Sequence, residues 1–168
     1  MKPRPFSSIL LLAFLCLAPS LRAQCEVHQT QNVYDGMWEE NDSFGNALAA
    51  DGNWMAVGTF SNEAGPNSGA VHVFRRVQGA WQFQTELHAP DAFAHDNFGA
   101  ALAMKDDVLA ISAPGDADGR GAVYVYRRSG DLWSFEQKLT AFDGLAGDLF
   151  GRAIDTDGTR IVITAPAQ

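Results

Sequence analysis

Asp-x-Phe-Gly occurs three times in this chain, as Asp42-Ser43-Phe44-Gly45, Asp96-Asn97-Phe98-Gly99 and Asp148-Leu149-Phe150-Gly151. The spacing is roughly fifty residues, and self-similarity at such a period marks a repeat architecture in which each unit lies on its neighbour. The flanks repeat too. Residues 46–59 (NALAADGNWMAVGT), 100–113 (AALAMKDDVLAISA) and 152–165 (RAIDTDGTRIVITA) align without a gap. Residues 68–76 (SGAVHVFRR) match 120–128 (RGAVYVYRR), and 81–91 (WQFQTELHAPD) match 133–143 (WSFEQKLTAFD). The copies differ in length only between 60–69 and 114–121, a Gly-, Pro- and Asn-containing stretch of the kind that forms a surface loop.

Inside a copy the pattern is β. Short runs such as AVYVY, VLAIS and IVIT are β-branched, aromatic and apolar, and Gly, Asp, Asn and Pro bound them. No helical period of useful length follows residue 23. Four strands per copy are predicted: A at 44–50, B at 54–59, C at 70–76 and D at 81–88 in the first. Asp51-Gly52-Asn53 and Thr156-Asp157-Gly158-Thr159 read as hairpin turns between A and B. Four strands in about fifty residues is the period of a β-propeller blade, and one blade cannot bury both its faces. The expected fold is therefore all-β, an incomplete β-propeller of about two and a half four-stranded blades. Residues 42–95 make the first repeat, 96–147 the second and 148–168 a partial third. Residues 24–41 form a lead-in, within which 27–34 (VHQTQNVY) resembles a D strand. The count is eleven strands, too few to close a ring. The expectation is a segment of a longer propeller, with a ring-completing oligomer or a decayed reading frame as alternatives.

The N-terminus reads as an export signal. Lys2 and Arg4 precede an apolar run at 9–18 (ILLLAFLCLA), and Pro19, Ser20 and Ala23 follow. The run is too short to span a bilayer. Residues 1–23 are expected to be removed after Ala23, with Ser20 as the alternative cut, leaving a secreted, periplasmic or cell-surface protein with no membrane span. Removal takes Lys2, Arg4 and Arg22 and no acid, so a net charge of −8 becomes more negative still. That balance excludes nucleic acid as a partner. Of the two cysteines only Cys25 remains, so stability must come from packing.

The unit Phe-Gly, apolar strand, Ala-Pro (Phe98-Gly99 to Ala113-Pro114; Phe150-Gly151 to Ala165-Pro166) resembles the FG-GAP repeat, the blade of integrin α-subunit propellers and of many secreted bacterial proteins. The first copy, Phe44-Gly45, departs from it in having Gly58-Thr59 where the others have Ala-Pro. The resemblance implies a propeller used for extracellular binding or adhesion, often with Ca²⁺ in its A–B loops. Calcium takes six to eight oxygens, and these A–B links are short and poor in acids. The nearest candidates are Asp155 with Asp157 and, after strand B, Asp116 with Asp118. The same residues also suit ordinary turns.

Antiparallel alternation gathers the D–A and B–C links at one end and the A–B and C–D links at the other. The first end collects Asp91, Asp96, Asp116, Asp118, Asp143 and Asp148, and the second Arg75, Arg76, Arg127 and Arg128. Such a separation attracts cations or a basic partner to the first end, and charged loop ends also serve solubility. The Asp before each Phe-Gly reads as a turn-former and each Phe as inter-blade core. Trp81 and Trp133, opening strand D, read as core or edge packing, and His72 as a strand-surface residue. Catalysis has no support: His28, His72, His88 and His95 lack metal-ligand spacing, and neither G-x-S-x-G nor H-E-x-x-H occurs. The functional expectation is a secreted, non-catalytic binding, adhesion or scaffolding segment for an unknown protein or carbohydrate ligand. The alternatives are a carbohydrate-binding or hydrolase-associated module and a Ca²⁺-dependent binder.

Overall fold

Runs of four to eight β-formers separated by tight turns favour hairpins between sequence neighbours. The computed structural model, which describes residues 10–15, 26–33, 43–60 and 65–166, is built that way. Its strands are β1 (Leu10–Leu15), β2 (Glu26–Asn32), β3 (Leu48–Asp51), β4 (Trp54–Thr59), β5 (Ala70–Val77), β6 (Ala80–Leu87), β7 (Leu102–Lys105), β8 (Val108–Ala113), β9 (Ala122–Ser129), β10 (Leu132–Leu139), β11 (Ile154–Thr156) and β12 (Ile161–Ile163). A single helical turn, α1 (Asp116–Gly119), interrupts the β8–β9 link. Sheet order is β3-β4-β5-β6, then β7-β8-β9-β10, then β11-β12, all antiparallel, with β1-β2 as a separate pair. These are two complete propeller blades and the first half of a third.

The eleven expected strands are present, and β1 is a twelfth. The lead-in strand is β2, but its partner is β1, in the segment read as the apolar part of an export signal, and not a C strand. It meets the first blade through Gln31, whose side chain bonds the backbone N–H (2.7 Å) and carbonyl (3.0 Å) of Trp81. Residues 16–25, with both proposed cleavage points, lie outside the described residues. Strand A starts later than 44. The amides of Gly45 and Asn46 both donate to the Gly58 carbonyl, which holds 44–47 in a turn until Leu48.

Side chains alternate across each sheet, and the two faces differ in size. Toward the preceding element each blade turns bulky residues. These are Met55, Val57 and Phe74 in the first, and Leu109, Ile111, Tyr124, Tyr126 and Phe98 in the second. Toward the following element it turns mostly small ones, Ala56, Val71 and Val73, then Ala103, Ala110 and Val123. The bulky face of the second blade fills the small face of the first, and Ile154, Ile161, Ile163 and Phe150 pack on the small face of the second. Val33, 5% exposed, packs with the bulky face of the first blade.

Phe-Gly is the clasp between blades. The Phe98 amide donates to Ser68 O and the Phe150 amide to Arg120 O, both 3.0 Å, tying each motif to the start of strand C in the blade before. The next residue turns inward: Gly99 N–H bonds Ser112 O and Gly151 N–H bonds Thr164 O, in strand B and just beyond it in the motif's own blade. Gly69 and Gly121 lie so close to the backbones of Phe98 and Phe150 that a Cβ on either would collide with them. Their positive φ adds a second reason for glycine. Phe98 is fully buried against Tyr124 and Tyr126, at ring distances of 5.4 and 6.4 Å, whereas Phe44 and Phe150 are half-buried.

Phe98→Ala is expected to lower unfolding stability by about 3–5 kcal/mol, and Phe150→Ala by less than half of that. Urea denaturation of both variants checks the order, and a loss below about 1 kcal/mol at Phe98 would remove it from the core.

Candidate functional site

The β6–β7 and β8–β9 links meet at one end of the blades around an open hollow of about 720 Å³. Asp91, Phe93, Ala94, His95 and Asp96 line it from the first link, Gly115, Asp116, Ala117, Asp118 and Gly119 from the second, and Lys138 from β10. Four of the six acids expected at this end therefore share one cavity. Asp143 and Asp148 do not line it; they stand in the β10–β11 link, at positions equivalent to Asp91 and Asp96.

Each acid has a distinct task. Asp96 Oδ2 accepts the Phe93 amide at 2.7 Å, and Asp148 Oδ2 accepts the Leu145 amide at 2.7 Å. Both close the turn that leads into Phe-Gly, the local use for which Asp is suited. Lys138 Nζ lies 2.8 Å from both Asp91 Oδ2 and Asp116 Oδ1, and so pins one link to the other. The Tyr124 hydroxyl donates to Asp91 at 2.7 Å and lies 3.4 Å from Asp116. The Tyr126 hydroxyl donates to His88 O at 2.6 Å. Asp118 is exposed, with φ +61°, inside the helical turn. Sequence reasoning missed Lys138 and Tyr124. Their counterparts in the first copy are Glu86 and His72, so the repeat carries no sign of their pairing.

The charges are tuned unequally. Burial pushes the Asp96 carboxyl up, and the nearby Asp116 and Asp91 charges add to this against the Phe93 amide. Burial works in the same direction at Asp91, but the Lys138 and Tyr124 hydrogen bonds together hold it below the ordinary carboxyl value. Burial opposes the charge of Lys138, yet its hydrogen bonds to Asp116, Asp91 and Tyr124 raise it. Burial also raises Tyr124, and it pushes Tyr126 to about 12 with help from the Asp91 charge.

At the opposite end, three of the four arginines named from the sequence have acidic partners. Arg75 pairs with Asp131 at 2.5 Å, Arg127 with Glu136 at 2.8 Å, and Arg128 with Asp107. Arg128 also stacks on Trp54 and Trp133, at 5.0 and 5.8 Å, so its charge serves packing. Trp133 is 9% exposed and meets Trp54 edge-on, while Trp81 is half-buried. His72 is a correction. It is 5% exposed, 5.7 Å from the Phe44 ring, and both it and His88 approach Glu86 Oε1, at 3.5 and 3.3 Å. Alternation puts position 72 on the bulky face, where its counterpart Tyr124 also lies.

The calcium candidates do not fit that ion. Asp157 Oδ1 accepts the Thr159 amide, the Thr159 hydroxyl and the Arg160 amide, and its Oδ2 lies 3.3 Å from Arg160. Those bonds hold its carboxyl below the ordinary value, the Thr159 hydroxyl first. Asp155 Oδ1 accepts the Thr156 amide. Asp116 is committed to Lys138. Among the described residues no group of three or more His, Cys, Asp or Glu is placed to hold a metal ion.

A family model described as FG-GAP repeat matches residues 35–74, 81–126 and 133–168. The second and third windows begin in the outer strand of one blade and run into the next, so the sequence unit straddles the clasp. No curated protein matches the chain.

Asp96 and Asp91 are expected to respond oppositely to pH. Because folding raises the Asp96 value, its contribution is present below the ordinary carboxyl range and is lost as pH rises through the raised value. Folding lowers Asp91, so its contribution is present above that range and is lost as pH falls. Asp91→Asn is thus expected to destabilise at neutral pH by a margin that closes in acid. Asp96→Asn should hold or gain stability at neutral pH, and Asp96→Ala should lose about 1–3 kcal/mol by orphaning the Phe93 amide. Urea titrations from pH 3 to 8, on the order of one point per unit, check all three.

Proposed function

The chain belongs to the FG-GAP repeat family, and from that premise we propose that it is a secreted, non-catalytic propeller segment that holds a protein partner on the end carrying Asp91, Asp96, Asp116 and Asp118. One observation carries this reading. Links from two blades build a hollow in which four carboxylates face one ammonium. Asp118 is exposed to a visitor, and Lys138 and the clasp fix the walls. Phe93, in its lining, is 73% exposed, and the β10–β11 link at the same end leaves Leu145 68% and Phe142 100% exposed.

An acidic hollow beside apolar knobs suits a surface that offers Lys or Arg next to aliphatic or aromatic groups. Charge steers such a partner in, and apolar contact holds it. Nothing in the hollow pairs a nucleophile with a base. The N-terminal layout of basic residues, apolar run and Ala23 supports export. No helix among the described residues is long and apolar enough to cross a membrane. Asp143 and Asp148 extend the acidic surface along the same end.

The test is binding of two peptide sets to the full chain, one mixing Arg or Lys with aromatics and one mixing Glu with the same aromatics. The cationic set is expected to bind, to weaken as salt is raised, and to lose affinity several-fold in Asp118→Asn, a change the left-handed backbone there tolerates. Equal binding of the two sets, or indifference to Asp118→Asn and to salt, would overturn the assignment.

A further inference from the structure

Two of the four acids in the hollow are nearly enclosed. Asp96 is 4% exposed and Asp116 7%, and they stand on different links. Each has one oxygen in use: Asp96 Oδ2 takes the Phe93 amide, and Asp116 Oδ1 takes Lys138. Among the described residues no hydrogen-bond donor reaches Asp96 Oδ1 or Asp116 Oδ2. Asp91, by contrast, has both oxygens bonded, one to Tyr124 and one to Lys138. A buried carboxylate oxygen without a donor makes its own charge costly, and either a proton or an entering N–H relieves that cost.

The titratable groups around Asp96 come from four parts of the fold. Asp91 and His95 lie on its own link, Asp116 and Asp118 on the β8–β9 link, Tyr124 on β9 and Lys138 on β10. Lys138 spends its contacts on Asp91 and Asp116, which leaves Asp96 with one amide. Burial, then the Asp116 and Asp91 charges, push the Asp96 carboxyl up, and the Phe93 amide and Lys138 offset only part of this. Burial pushes the same way at Asp91, but the Lys138 and Tyr124 bonds hold it low. Lys138 and Tyr124 are both raised, so neither gives up its proton between acid and neutral pH.

Resting on the reading of the hollow as a seat for a cationic protein surface, we propose that Asp96 makes it a proton-linked seat. A proton and a partner's ammonium or guanidinium group compete for Asp96 Oδ1, so the partner is held at neutral pH and shed in acid. The partner's cation bridges Asp96 Oδ1 and Asp116 Oδ2, and its own proton stays on it; the proton that leaves Asp96 goes to solvent. The sign follows from linkage. A bound cation favours the ionised carboxylate, so below the raised Asp96 value each partner that binds must expel a proton. Above that value binding expels none. Asp91, held low, keeps its charge through this window, so the release is set by Asp96.

The probe is the peptide set that mixes Arg or Lys with aromatics, titrated calorimetrically into the full chain from about pH 8 to about pH 4 in two buffers of different ionisation enthalpy. Affinity is expected to be level near neutral pH and then to fall by up to about tenfold per unit, with about one proton released per peptide in the falling part. Asp96→Asn, which keeps an acceptor for the Phe93 amide, should bind weakly at neutral pH and show no slope where the wild-type chain has one. His95→Asn, suited to the left-handed backbone there, should keep the slope whatever it does to affinity. The carboxyl carbon of Asp96 in the peptide-free chain, followed by NMR, should titrate above the ordinary carboxyl range. A level wild-type profile, a slope that survives Asp96→Asn or vanishes in His95→Asn, or an ordinary Asp96 titration would overturn the linkage and leave the seat itself standing. Peptides that bind at no pH would overturn the seat, and the linkage with it.

Discussion

The structure depends on large side chains from one sheet filling a face of small ones on the next. A four-stranded sheet of this size has too little apolar area to stand alone. Ala56, Val71 and Val73 leave a shallow trough, and Leu109, Ile111, Tyr124 and Phe98 fill it to full burial. The fit has a direction. It requires the bulky face of each blade to look toward the N-terminus, as the second and third sheets do. Backbone reinforces side chain here, because the Phe that enters the trough also donates its amide to the blade that forms it. Close approach of two backbones is what demands glycine at 69 and 121.

The loops inherit their geometry from that clasp. Asp96 sits two residues before Phe98, and its carboxylate fixes the Phe93 amide, so the apolar knob at Phe93 and the acid wall are set by one turn. Lys138 then joins links from two different blades through Asp91 and Asp116. A half-buried cation between two carboxylates trades desolvation against pairing and does more for position than for stability. The hollow is therefore a by-product of inter-blade packing that the loops have furnished with charge.

Repetition made the architecture legible. Three aligned copies, each with β-branched and aromatic runs between turn residues, indicate strand number, strand order and which links share an end. What escaped was side-chain pairing at positions where the copies differ. His72 read as surface because its counterpart is a polar-tipped tyrosine, yet period two places both on the buried face, which tyrosine tolerates through its hydroxyl and histidine through Glu86. Arg75 and Arg128 read as part of a cationic end, and the sequence gives no sign of the acids that pair with them. Asp107, in the β7–β8 link, and Asp131, in the β9–β10 link, reach them at that same end and neutralise them. The late start of strand A was invisible for a different reason. Gly58 O accepts two amides at once, and that choice between turn and ladder is made by backbone geometry alone.

The same direction of packing holds in the third sheet. Ile154, Ile161 and Ile163 lie on Ala103, Ala110 and Val123, as Leu109 and Ile111 lie on Ala56, Val71 and Val73. The Phe-Gly residue reports how far each seam is closed among the described residues: Phe98, beneath Tyr124 and Tyr126, is fully buried, and Phe150 is half-buried. The requirement that makes one blade unstable alone is therefore met seam by seam, each sheet depending on the neighbour whose small face it fills.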